Sequence, residues 1–401
     1  MARPERPARI TLALVMGVTL VTLALGFLLK SPCLGPWDGR QYTRLCYSDV
    51  VPLFGTEGLD LGLVPYLEAR NEYPVLTGFT MALTGLPARS SSSFFAWNAL
   101  LLTGFALVIT VALWRMVGAR VLYFAAAPTL LIYGFVNWDL LAVMLATLAT
   151  LAFLRARDGP AGGLLGLGAA AKLFPGLLAI PFALQRWRER RIHEAGLLVG
   201  GAAIAWAAVN LPIAAIAPSR WAEFFRFNSA RPVDWDSLWF LSQRHLGFPR
   251  SIPLANALSL IAFAALAGAL WWLAHRRRPG FPPWSFGFPL LVAFLLTSKI
   301  YSPQFSLWLL PWFALALPSP GLFAAFSAAE VAVFVTRFQF FADLNDLGGL
   351  PFWAFETALL ARAAVLALCL VAWVRRPAPG LVLEPKRAEG RIPAVREEAV
   401  A

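Results

Sequence analysis

Apolar runs separated by short turns rich in arginine or proline recur along almost the whole chain, from residue 10 to residue 374. Candidate membrane spans fall at 10–29, 94–114, 121–136, 138–154, 162–184, 195–214, 253–274, 284–298, 306–318, 321–336 and 353–374. At about 1.5 Å per residue the longest reach about 30 Å and cross a bilayer, whereas 121–136 and 306–318 are short and need cover from neighbours. Segment 74–87 is also short and bounded by proline, which leaves it open between a span and a re-entrant or interfacial helix. The pattern predicts an all-α polytopic membrane protein, a bundle of about 11–13 transmembrane helices with a structured first outer loop.

Basic residues orient this bundle. Arg3/Arg6/Arg9, Arg115/Arg120, Arg155/Arg157, the run 185–191, Arg276/Arg277/Arg278 and Arg375/Arg376 should all face the cytoplasm. Stretch 162–184 then begins and ends beside cytoplasmic clusters, so it cannot cross once. A bent pair of half-helices broken at Lys172-Leu173-Phe174-Pro175 resolves the conflict, because Pro175 disfavours helix at Phe174. The expected organisation is an integral-membrane domain over 1–374, with outer loops 30–93 and 215–251, and a disordered cytoplasmic tail at 375–401. The pattern predicts a multi-pass plasma-membrane protein with both termini cytoplasmic.

Composition agrees. Hydrophobic residues make up 59% of the 401 and charged residues only 14%, against roughly 25% charged in soluble domains. The net charge of +12 sits in arginines at span ends and does not indicate nucleic acid. The first apolar run is retained as a span, because Lys30-Ser31-Pro32-Cys33 offers no small-residue cleavage pattern. Cys33 and Cys46 share one loop, and a bridge between them is open if that loop faces an oxidising compartment.

The outer loops collect the chemistry. Asp49 lies close to the expected membrane surface. It is read as a general base activating a hydroxyl, or else it or Ser48 is the N-cap of a surface helix. Loop 215–251 places Arg231, with Asp234 and Asp236, among aromatic residues, on the side where arginine should be scarce. That arrangement suits phosphate binding or an interfacial belt. Lys172 within an apolar stretch is a functional candidate by its cost, and Lys299 opens a short outer turn with Tyr301 and Gln304. Asp139 is a partner for Lys172 or for a substrate hydroxyl. Glu330 and Arg362, inside apolar runs, read as a structural pair. The histidines show no metal spacing, and no nucleotide-binding loop is present.

The order of these features resembles the GT-C superfamily of membrane glycosyltransferases. Within it, the chain resembles glycosyltransferase family 87, the actinobacterial mannosyltransferases that use polyprenyl-phosphate mannose. The segments that carry the likeness are Tyr47-Ser48-Asp49, Pro65-Tyr66 with Glu72-Tyr73-Pro74, Asn137-Trp138-Asp139, Ala171-Lys172-Leu173-Phe174-Pro175 and Ser302-Pro303-Gln304. Abundant Ala, Arg and Gly also suit a high-GC actinobacterium.

The resemblance implies inverting transfer of a sugar, mannose in the first instance, from a polyprenyl phosphate to a cell-envelope glycolipid or polysaccharide on the extracytoplasmic face. Asp49 would be the base, and Lys172, Arg231 and Lys299 would bind the donor phosphate. Tyr47, Glu72, Tyr73, Asp139, Asp234, Asp236, Tyr301 and Gln304 would contact substrate. No cofactor is required, although a divalent metal held by Asp139, Asp234 and Asp236 stays open. The competing readings are a transporter or flippase of a lipid-linked or amphiphilic solute, and a non-catalytic assembly factor.

Overall fold

The computed structural model describes residues 10–35 and 37–383, and the Arg3/Arg6/Arg9 cluster and most of the expected tail lie outside the described residues. Among the described residues, six helical segments are long and apolar enough to cross a membrane: Leu12–Cys33, Ser91–Ala125, Ile192–Ile216, Ile252–Arg277, Pro320–Leu344 and Phe352–Arg375. Serine and threonine start several of them. The side chains of Thr11, Ser90 and Ser251 accept hydrogen bonds from first-turn amides, supplying partners that a helix start otherwise lacks.

The remaining apolar stretches are broken, and proline explains where. The stretch expected at 121–136 divides into Leu122–Ala125 and Pro128–Tyr133, with Pro128 opening the second piece. The one expected at 306–318 is a 3-10 turn, Pro303–Leu309, followed by Leu310–Ala316 with Pro311 in its first turn. Residues from Leu307 to Leu317 are all buried, so protein and not lipid surrounds this irregular backbone. Ile192–Ile216 and Ile252–Arg277 lie at the periphery, with only 17% and 11% of their apolar windows buried.

The expected bend near residue 172 is present. Helix Asp158–Ala171 stops at Lys172, whose backbone is extended, and the chain returns through Phe174–Leu177 and Ala179–Arg188. Arg186 donates to Asp158 Oδ1 at 2.6 Å and to the Phe153 carbonyl at 2.7 Å, so the two open ends of the hairpin meet. Glycine lets the hairpin approach its neighbour. A Cβ at Gly162 or Gly166 would lie 2.0 or 2.2 Å from the carbonyl oxygens of Leu198 and Ala202. Fourteen residues of the first arm rise about 21 Å, which carries Lys172 most of the way across a 30 Å core.

The basic turns gather at one end of the bundle. Arg188 donates to the Phe281 carbonyl at 3.0 Å, Arg278 to that of Arg376, and the Val382 amide to that of Met116 at 2.8 Å. The Trp114 indole reaches the Ile10 carbonyl at this same end. Both described chain ends therefore lie together, and the long loops assemble at the opposite end. Segment 74–87 resolves there as an 11-residue helix, Val75–Gly85, too short to span; Thr77 donates to the Ala171 carbonyl at the hairpin tip (2.8 Å).

Candidate active site

The loop after the first span is fastened before it reaches Asp49. Cys33 and Cys46 form a disulfide, with Cα atoms 5.7 Å apart. Ser48 Oγ donates to the Phe135 carbonyl at 2.7 Å, and the Asp49 amide donates to that of Val136 at 2.9 Å. These bonds lay residues 46–49 along 135–137. Asp49 does stand at the start of a short helix, Val50–Thr56, but its side chain makes no cap. Instead Oδ1 accepts from the Tyr47 hydroxyl at 2.6 Å and Oδ2 from Asn137 Nδ2 at 2.9 Å. The N-cap reading fails for Asp49, whereas Ser48 Oγ does accept from the Val50 amide at 3.3 Å.

Both neighbouring phenols hold their protons firmly. Burial first, and then the Asp49 charge, push Tyr47 and Tyr73 well above the ordinary tyrosine range. Asn137 Nδ2 also donates to the Tyr73 oxygen at 2.8 Å, and its Oδ1 accepts from the Trp138 amide at 2.7 Å, which fixes the orientation of the amide. Asp49 is thus an oriented carboxylate with lone pairs left for one more donor.

Asp49 opens into a cavity of about 640 Å3 that Tyr47, Glu72, Tyr73, Lys172, Arg231 and Gln304 also line. Lys172 enters from the hairpin tip. Its ammonium pairs with Asp139 Oδ2 at 2.6 Å and lies 4.9 Å from the centre of the Phe305 ring. Asp139 is fully buried, and its second oxygen accepts from the Trp308 indole at 2.7 Å. Phe174 and Phe305 stack on either side of that interaction, each 4.2 Å from Trp308. A cation is therefore presented to the cavity on an aromatic frame, with a buried counter-ion behind it.

Several residues expected to touch substrate lie behind the wall. Asp139 holds Lys172. Asp234 accepts from Arg231 and Ser302, each at 3.3 Å, and Asp236 pairs with Arg337 at 2.7 Å. Tyr301 is buried against Ser306 (3.1 Å) under the Arg362 guanidinium, and burial raises its phenol above the usual range. Lys299 directs its ammonium at the Ser229 and Arg231 carbonyls, 3.2 and 2.5 Å away, and clasps two loops together. None of these five lines the cavity, and each has at least one polar atom engaged by another part of the chain. The three aspartates proposed as metal ligands are engaged by cations or buried, and no three His, Cys, Asp or Glu among the described residues converge. Among the described residues, these three aspartates therefore do not form a divalent-metal site.

Other residues come forward. Arg337 lines the cavity, one position beyond the span expected at 321–336. Asn137 is the partner that orients Asp49. Lys30 is fully buried, 4.8 Å from the centre of the Phe334 ring, with no hydrogen-bond partner for its ammonium and the Asp49 charge acting on it. In the sequence it is only the residue that ends the first apolar run. Glu330 and Arg362 do face each other inside the bundle, at 3.9 Å.

The description of glycosyltransferase family 87 matches residues 72–303, more than half of the chain. The chain belongs to glycosyltransferase family 87. The matched segment of this family 87 member holds Tyr73, Asn137, Asp139, Lys172, Arg231 and Lys299, while Tyr47 and Asp49 precede it and Gln304 and Arg337 follow it. Among solved structures the chain is similar to ArnT from Cupriavidus metallidurans bound to undecaprenyl phosphate. The TM-score is 0.43 with 14% identity, over 91% of this chain and 77% of that one. It is also similar to apo ArnT from the same organism, with TM-score 0.43 and 15% identity over 90% and 76%. No curated protein matches significantly.

Proposed function

We propose that this family 87 glycosyltransferase moves a sugar, mannose in the first instance, from a polyprenyl phosphate to a cell-envelope glycolipid or polysaccharide at the extracytoplasmic face. The observation that carries the reading is one cavity shared by an oriented carboxylate, Asp49, and by two cations from distant parts of the chain, Lys172 and Arg231.

The chemistry follows from that pairing. Asp49 accepts the proton of an acceptor hydroxyl as its oxygen bonds to the anomeric carbon, and the bond to the phosphate oxygen breaks on the opposite face. The configuration inverts, and the electron pair leaves on polyprenyl phosphate. That leaving group needs no proton, so one base is enough. Lys172 and Arg231 meet the phosphate charge as the bond breaks, with Arg337 in the same wall. Leu173, Phe174, Phe224 and Phe225 give the cavity an apolar side suited to a lipid chain, and Trp37, 5.2 Å from Tyr47 between ring centres, offers a flat face to a sugar.

The test is transfer by the purified protein from polyprenyl-phosphate mannose to glycolipid acceptors, beside Asp49→Asn. Loss of the base should lower transfer by about 10²-fold or more. Undiminished transfer removes Asp49 from its role, and no transfer from any lipid donor removes the enzymatic reading. Solute flux in proteoliposomes without bond formation favours the transporter instead.

A further inference from the structure

A buried carboxylate outside the cavity connects to Asp49 through two sets of hydrogen bonds joined by the body of Tyr73. Glu57, just after the helix Val50–Thr56, is nearly inaccessible. Its Oε2 accepts from Asn71 Nδ2 at 2.8 Å. Asn71 Oδ1 in turn accepts from the Tyr73 amide at 2.9 Å and from the Tyr66 hydroxyl at 3.3 Å. The Tyr73 oxygen accepts from Asn137 Nδ2 at 2.8 Å, and that same nitrogen donates to Asp49 at 2.9 Å. Glu57 therefore fixes the strap 71–73 from behind, and this strap sets the donor that orients the base.

We propose that Glu57 is a positioning residue for Asp49: its carboxylate clamps residues 71–73, and transfer is fast only while that clamp carries a negative charge. The inference rests on the transferase reading of the cavity. An ionised acceptor makes shorter and stronger bonds to amide donors than a neutral one, so proton uptake at Glu57 loosens the strap without breaking it. The titratable groups facing Glu57 are Glu72 and the Tyr66 phenol, and Glu72 itself faces Asp49 and Arg231. Burial first and then the Glu72 charge push Glu57 up to about 7, which puts the change in the physiological range. Glu72 is also raised, by burial and then by Asp49. The direction is fixed: ionisation of Glu57 as pH rises through about 7 tightens the clamp, and transfer increases.

Two measurements on the full-length protein test this, transfer rate from pH 5.5 to 8.5 and hydrogen exchange of residues 64–74 over the same range, corrected for the intrinsic rate. Wild type should show a rate that rises about fivefold through pH 7, with protection of the Tyr73 amide, which donates to Asn71 Oδ1, rising in parallel. Glu57→Gln imitates the protonated state, so it should keep the wild-type rate at low pH and lose both rises. Tyr73→Phe leaves the clamp but cuts the connection to Asn137. It should keep the rise in protection, lose the rise in rate, and transfer more slowly throughout. A limb near pH 7 that persists in Glu57→Gln overturns the proposal. So does a loss of rate that is equal at every pH, or an exchange pattern that Glu57→Gln leaves unchanged. If wild type transfers nothing, the transferase reading fails, and the exchange arm still decides whether Glu57 clamps the strap.

Discussion

The pair Lys172–Asp139 gives the sharpest quantitative test of the cavity, because its two members stand in different environments. The Asp139 side chain is fully buried, whereas 15% of the Lys172 side chain remains exposed to the cavity. Asp139→Asn keeps the shape and a partner for the Trp308 indole but leaves the ammonium without its counter-ion. Lys172→Met leaves a buried carboxylate with only that indole. Breaking one side of a buried pair costs about 3–5 kcal/mol. The cavity hydrates Lys172 in part, so Asp139→Asn should fall at the low end, about 3 kcal/mol, and Lys172→Met nearer 4 kcal/mol. The double variant removes both charges and should return to within about 1 kcal/mol of wild type, a coupling of about 6 kcal/mol or more. Unfolding of all four proteins in one detergent measures this cycle, and transfer is assayed on the same samples. Activity should not recover with stability, because the double variant has no hairpin cation to meet the phosphate. Losses that simply add would refute the ion-pair account, and a stable, fully active double variant would refute the role of Lys172.

Three further predictions come from single contacts. Lys30→Met removes a buried ammonium that has no hydrogen-bond partner, so thermal stability should hold or rise by about 1 kcal/mol while transfer falls severalfold; a loss as large as that of a broken ion pair would contradict the described environment. Gly166→Val drives a side chain into the Ala202 carbonyl and should cost about 1–3 kcal/mol or more in unfolding experiments. Gly163→Ala, with open space around it, should be neutral or stabilising by about 0.5–1 kcal/mol. Cys46→Ser opens a loop of 13 residues and should lower stability by about 3 kcal/mol; transfer should fall with it, because Asp49 is three residues away, and unchanged transfer would show that the bonds from residues 48 and 49 to residues 135 and 136 suffice.

Local signals made much of the membrane architecture legible. The hairpin followed from two independent features, basic residues at both ends of 162–184 and a proline that disfavours helix at Phe174, and the Arg186–Asp158 pair closes it. Asp49 was visible as a loop carboxylate, but what holds it was not, because Asn137 lies 88 positions away. The direction of long side chains was equally hidden. Lys299 and Arg231 sit in adjoining loops with the same charge, yet one clasps carbonyls behind the wall and the other lines the cavity. Arg337 carries no such signal, because the apolar run ends at 336, whereas its helix continues to Leu344.

The hairpin also constrains how the protein is made. Its turn carries a lysine and an interrupted backbone, and neither arm alone could rest against hydrocarbon at that depth. Two of its glycines need the carbonyls of Leu198 and Ala202 on the following helix. The segment from 158 to 188 should therefore leave the insertion machinery only after that later helix has emerged, so that synthesis delivers a three-part unit and not two independent crossings.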